Sequence, residues 1–283
     1  MKQFIAVVIG LLCLSSCQTP PLTPSERTPT ILIPQWHLSP QTNTKTRTVQ
    51  IPQSENQLSI YDTVSTWTSS GLLKSAVVEG CEGEITKGFN TRFNGWSLRD
   101  LEKLKPQDRR SVMTHVGLKL EAEYGPRLAV ICGDNLALVK KQLLVLSDLR
   151  GLFGFRIRIE EFKNDPTRKA EYLRSVRTLL KLPKNATDAE ITAALDQSLK
   201  NKIADFELLT AERNASFATA VKTAPHPTAI IIGAIHIDDL KAKLQAQGEK
   251  PEVFQPKGLK GDESEVLEEA KRLLSPQKPA STP

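Results

Sequence analysis

Ala229-Ile230-Ile231-Ile232-Gly233-Ala234-Ile235-His236 reads as a buried strand that ends on a histidine. A counterpart, Ile31-Leu32-Ile33-Pro34-Gln35-Trp36-His37, stands near the other end of the chain. Short apolar, β-branched runs bounded by breakers are the pattern of strands buried on both faces, as in parallel sheets. Open α/β sheets carry their chemistry just outside the carboxyl ends of such strands. The chain has only four histidines, and two of them in near-equivalent settings point to one shared site.

Two further strands follow the same logic, Ala76–Val78 and Leu128–Cys132, with Glu252–Phe254 as a weaker fifth. Helical sequence alternates with them. Leu58 to Leu73 carries apolar residues at helical spacing, and Ser97-Leu98-Arg99-Asp100 is a helix start with an N-cap and a nearby acid. Pro106 opens a helix expected to run to Tyr124 and stop at Gly125-Pro126. Asp134 is expected to cap another through Leu149, and Asp165-Pro166 to open one reaching Leu182, with proline at the first helical position. Thr187-Asp188-Ala189-Glu190 is a capping box and starts a long helix to Ala224. Phe155-Arg156-Ile157-Arg158-Ile159 alternates like a strand inside helical sequence, and both readings stay open. The expectation is an α/β fold, a mostly parallel central sheet flanked by helices. The all-helical stretch from Asp134 to Ala224 is then an insertion covering the site end of the sheet.

The ends of the chain read differently. Lys2 and the apolar stretch Phe4 to Leu14 form a targeting segment too short to span a bilayer. Leu14-Ser15-Ser16-Cys17 resembles a bacterial lipobox, which predicts cleavage after residue 16 and a lipid on Cys17. Acyl chains contribute about 0.8 kcal/mol per buried methylene, so several on one residue hold a protein to a membrane. Gln18 is not the aspartate associated with inner-membrane retention, so the expected location is the outer membrane, facing the periplasm. Residues 17–29, with four prolines, read as a stiff tether. The domain is expected over 30–260, with a short helix and disordered tail over 261–283.

Composition excludes some functions. The formal charge is +6, modest for this length, and basic residues alternate with acids instead of gathering around aromatics. That is not a nucleic-acid platform; weak attraction to anionic lipid or glycan is compatible with it. The sequence contains no Gly-x-Ser-x-Gly elbow, phosphate loop or Cys-x-x-Cys pair. Apart from Cys13 and Cys17, only Cys81 and Cys132 remain. In an oxidising compartment they permit one disulfide; two buried thiols are the alternative. His115, among Val112, Val116 and Leu118, reads as a helix-surface or core residue, and His226, between two prolines, as a loop residue.

The candidate chemistry gathers around the strand ends. Ala76-Val77-Val78-Glu79-Gly80 places an acid at the end of an apolar run, where a carboxylate needs a partner. His37, His236 and Glu79 together make a ligand set for a divalent cation with positions left for water, or, without metal, a general acid–base group. Arg213-Asn214 lies mid-helix, on a face with Phe206, Leu209, Phe217 and Val221; an arginine turned inward there neutralises a carboxylate or a substrate anion, and an exposed polar pair is the alternative the spacing leaves open.

These residues carry a resemblance. Glu212-Arg213-Asn214, then Ile231 to His236, followed by Asp239-Leu240, Leu244 and Gly248, resembles the C-terminal signature of the TraB/GumN family, which is grouped with TIKI proteases, erythromycin esterases and ChaN-type haem-binding lipoproteins. Its pattern is a Gly-x-x-His at a strand end, an acid closing the next strand, an Arg-Asn on a helix and a second Gly-x-x-His. Val78-Glu79 matches the acid, Arg213 and Asn214 the helix pair, and Gly233 to His236 the second motif. Gly125 to Val130 resembles the family's glycine-led central strand, with Asp134 standing near the position of its glutamate. The first motif departs: Pro34-Gln35-Trp36-His37 keeps the histidine but not the glycine. The resemblance implies a hydrolase site of His37, Glu79 and His236 around Mn, Co or Zn, with Arg213 and Asn214 positioning a peptide or small-molecule substrate. The alternatives it leaves open are a haem- or metal-binding lipoprotein of ChaN type and a degenerate scaffold.

Overall fold

The computed structural model describes residues 29–36, 52–85, 96–259 and 263–275. His37, Cys17, the targeting segment and most of the tether lie outside the described residues. The chain is an α/β protein with six strands in one sheet: β1 (Thr30–Gln35), β2 (Ser75–Val78), β3 (Glu82–Glu84), β4 (Ala129–Gly133), β5 (Thr228–Gly233) and β6 (Pro251–Val253). Their order is β3-β4-β2-β5-β1-β6. All neighbouring pairs are parallel except β3 with β4, so the carboxyl ends of β1, β2, β4 and β5 share one edge.

The strands are apolar on both faces because both faces are covered. Ile33, Val78 and Ile231 bury into one cluster with Ile60, Val64 and Leu118. Their alternates Leu32, Val77, Ile230 and Ile232 bury into a second with Phe217, Val221 and Leu240. Period-two alternation thus sorts the side chains of β1, β2 and β5 between two helical layers and leaves almost none of them for water, while the edge strand β3 is exposed. Pro34 is tolerated in this interior strand for a local reason. Phe254 donates its N–H to the Leu32 carbonyl, 2.9 Å, and the β1–β6 pairing ends at that level. Two residues on, a proline with no N–H to give costs no ladder bond.

The helices of the first layer are α1 (Pro52–Ser69), α2 (Leu98–Glu102), α3 (Pro106–Ser111) and α4 (Val116–Tyr124). The single helix expected from Pro106 to Tyr124 is therefore two. The break falls at His115, whose ring accepts from the Gly117 N–H and caps α4. The insertion between β4 and β5 consists of α5 (Leu136–Glu161), α6 (Pro166–Leu179) and α7 (Asp188–Thr223). Asn135, not Asp134, caps α5. The alternating stretch Phe155 to Ile159 is helical, because Phe155 and Ile159 lie one turn apart against the insertion's own core of Leu149, Leu195 and Leu199. Helices α5 and α7 run antiparallel, pinned by Gln142–Thr210, Lys202–Asp148 and Arg156–Asp196.

After β5 a 3₁₀ turn, Ala234–His236, leads into α8 (Ile237–Ala246). The strand expected to reach Ile235 thus ends at Gly233, because Ile235 turns away to pack against the insertion's core. The last helix, α9 (Glu263–Leu274), buries Leu267 and Ala270 in that same core. Cys81 and Cys132 form a disulfide across the ends of β2 and β4. Among the described residues no helix is long and apolar enough to cross a membrane.

Candidate functional site

Register places the site. Gln35 pairs with Gly233, and Val78 pairs with both Ile231 and Cys132. Glu79, one residue beyond β2, and Asp134, one beyond β4, therefore emerge side by side at the carboxyl edge, with Gln35 and Gly233 next to them. Helix α7 crosses this edge closely because Gly133 has no side chain. A Cβ there would lie 2.6 Å from both the Phe217 ring and the Val77 side chain. Phe217 seats against the sheet, and Arg213, one helical turn earlier, is delivered onto both carboxylates.

The guanidinium of Arg213 is buried and engaged at all three of its nitrogens. Its Nη2 donates to Glu79 Oε1 at 2.5 Å and to Asp134 Oδ2 at 2.6 Å, and its Nε donates to Asp134 Oδ1 at 2.9 Å. Its Nη1 donates to Gln142 Oε1, and Gln142 is held in turn by Thr210, 2.6 Å away. Burial works against the cation, but the two carboxylates outweigh it and hold the Arg213 pKa above its ordinary value. The carboxylates are also satisfied by backbone. Gly233 N–H donates to Glu79 Oε2 at 2.6 Å, Gln35 Nε2 to the same oxygen at 3.4 Å, and Gly80 N–H to Asp134 Oδ2 at 3.1 Å.

His236 completes the group. It is 1% exposed, and its Nε2 lies 3.6 Å from Glu79 Oε1. Its Nδ1 lies 2.8 Å from Asn214 Oδ1. Asn214 Nδ2 meets two acceptors, Asp239 Oδ2 at 2.8 Å and the His236 carbonyl at 3.3 Å. Only one amide orientation satisfies all three contacts, so Asn214 Oδ1 accepts and His236 Nδ1 carries the proton. The consequence is chemical. In a neutral ring of this tautomer the Nε2 lone pair lies on the side that faces Glu79, 3.6 Å away.

Of the residues expected at the site, the structure brings together Glu79, Arg213, Asn214 and His236, with Asp134 beside them. His37 lies outside the described residues. Sequence reasoning missed Gln35, Gln142 and His115. His115 Nδ1 accepts from Gly117, so its Nε2 carries the proton and donates to the Glu79 carbonyl at 2.7 Å, fixing the backbone that presents the acid. Glutamines carry no charge signature, and His115 shows no strand-end pattern; its one signal was its place just before the glycine of a helix start. Among the described residues no three His, Cys, Asp or Glu side chains are arranged to hold a metal ion; of the three residues expected as ligands, Glu79 and His236 are described and His37 is not. No protein-family profile, curated protein or solved structure matches this chain.

Proposed function

We propose that this protein is a hydrolase of TraB/GumN type, metal-dependent and acting on peptides, held to the outer membrane through a lipid on Cys17. The observation that supports the reading best is the pairing of His236 Nε2 with Glu79 Oε1 at 3.6 Å, with Asn214 holding the proton on the far nitrogen. Ligating histidines characteristically donate their other ring N–H to an orienting acceptor. In this reading His37, Glu79 and His236 would hold Mn, Co or Zn, which when bound lowers the pKa of water and polarises a carbonyl. The chain's own residues set the stage. Asn214 keeps Nε2 unprotonated and aimed at the site, Gly233 N–H and Arg213 fix the two oxygens of Glu79, and Asp134 holds Arg213 in place.

The haem-carrier alternative is less well supported, because the Nε2 atom that would bind iron is buried and faces Glu79. The deciding experiment is hydrolysis of a peptide and an ester library with and without Mn²⁺ or Co²⁺, comparing wild type with His236→Ala. Metal-stimulated turnover lost in the variant is expected. Turnover unchanged by His236→Ala refutes the assignment.

A further inference from the structure

The chain's excess charge is not spread over the fold. Residues 163–184 contain seven Lys and Arg against two acids, which is nearly the whole excess of a chain whose formal charge is +6. This segment is α6 with its flanking turns, packed outboard of α5 and α7 through only two fully buried side chains, Leu173 and Val176. Arg174, Lys181 and Lys184 are exposed. Arg177 Nη1 donates to the Lys184 carbonyl at 2.8 Å, which folds the turn after α6 back and brings Lys184 beside Arg177. Arg174 and Arg177 lie nearly one turn apart, so the four cations run together along the C-terminal end of α6. Among the described residues none of the four has a carboxylate within ion-pairing distance, whereas Arg168 at the other end pairs with Asp165 at 3.5 Å.

A helix C-terminus favours cations, but only Arg177 lies in the last turn of α6. The other three charges are not explained by the helix dipole, and they are not explained by internal pairing. We infer that the outer face of α6, centred on Arg174, Arg177, Lys181 and Lys184, docks on an anionic bilayer surface. Charge complementarity supplies the attraction, about fivefold in affinity for each cationic side chain near an anionic leaflet. Leu179, 53% exposed at the end of the same helix, supplies an apolar side chain of the kind that enters the headgroup boundary. Single-stranded nucleic acid fits less well. The segment's one aromatic ring, Tyr172, has a face taken up by Phe162, stacked on it at 5.6 Å, and a lone half-covered ring is a poor platform for bases.

The test uses the full chain carrying Cys17→Ser, so that no lipid anchor contributes, and compares vesicles of phosphatidylcholine alone with vesicles containing phosphatidylglycerol. The charge-reversed pair Arg174→Glu/Lys181→Glu is compared with Lys140→Glu/Lys141→Glu, an equal charge change on exposed lysines of α5. Because both proteins share the N-terminal segment, its own affinity cancels. Expected is binding at least tenfold tighter to the anionic vesicles, lost in high salt, and cut at least tenfold further by the α6 pair than by the α5 pair. Equal loss in both pairs, equal binding to both vesicle types, or tighter binding to dextran sulfate than to anionic vesicles overturns the proposal. Unchanged circular dichroism and thermal melting of the α6 pair show that the fold is intact. The outcome is independent of whether the site at Glu79 and His236 has activity.

Discussion

Replacing Arg213 with methionine keeps the length and bulk of the side chain and removes the charge. In the native protein this one guanidinium meets Glu79, Asp134 and Gln142. The variant leaves two buried carboxylates facing each other without the guanidinium that bridges them. Removing one partner of a buried ion pair costs about 3–5 kcal/mol, a large part of the roughly 5–15 kcal/mol that holds a typical domain together. Most of that cost is the uncompensated charge, not the lost packing. Neutral isosteres of the two acids should therefore relieve it. Arg213→Met/Glu79→Gln/Asp134→Asn is expected to regain at least half of the stability lost by Arg213→Met alone. The assay is urea unfolding followed by circular dichroism at neutral pH, for wild type, the single variant and the triple variant. A loss under roughly 1 kcal/mol in the single variant, or a loss that is not recovered in the triple variant, refutes the electrostatic account of the cluster.

The remaining predictions address other parts of the fold. The Cys81–Cys132 bond closes a loop with a sequence separation of 51. Loop-closure entropy then predicts that Cys81→Ala/Cys132→Ala lowers unfolding free energy by about 4 kcal/mol; equal denaturation midpoints with and without reductant would contradict it. Lys119 is buried, with Nζ donating to the Arg110 carbonyl at 2.8 Å and lying over the Tyr61 ring. Burial pushes its pKa down to about 7, against the pull of Asp62. Between that value and about 10.4 the unfolded chain binds a proton the folded chain does not, so wild-type stability rises with pH across that window. Lys119→Met is expected to be more stable than wild type at pH 6, by an amount that shrinks by about 1.4 kcal/mol per pH unit above 7. A pH-independent difference between the two would rule this out.

Four of the six strands were legible because each is largely buried on both faces and therefore reads as an apolar run. β6, with Glu252 exposed, was legible only as the weaker fifth. The sixth was not. β3 is Glu82-Gly83-Glu84, with no strand propensity, and exists because it pairs with β4 beside the Cys81–Cys132 bond. The end of β5 was misplaced for a related reason. Ile235 is apolar like the residues before it, yet it serves the insertion's core and not the sheet's, and periodicity cannot tell one core from another. Glu79 and Arg213 stood out as charges in apolar surroundings, a signal that survives without any structure. Gln35, Gln142 and His115 did not, because what makes them part of the cluster is their distance from Glu79, to which sequence spacing gives no guide.

That distinction bears on how the site and the fold depend on each other. Gly133 admits Phe217, and Phe217 sets the approach of α7 that carries Arg213 to Glu79 and Asp134 and Asn214 to His236. The insertion is thus docked on the sheet by the same side chains that build the candidate site, and a charge change at Glu79 alters stability and chemistry together. His236 and Asn214 offer a way to separate the two. They meet through one hydrogen bond that sets a tautomer, at a position where Asn214 also ties down Asp239. Asn214→Asp keeps the size and the acceptor facing His236 but gives up the N–H groups that hold Asp239 and the His236 carbonyl, so it keeps the contact to the ring while loosening α8. His236→Gln removes the ring nitrogen that faces Glu79, and its one amide nitrogen can donate to Glu79 only by giving up the donor toward Asn214. If the nitrogen facing Glu79 serves only structure, turnover falls no further than the folded fraction does. If it serves chemistry, turnover is lost beyond what the change in stability explains.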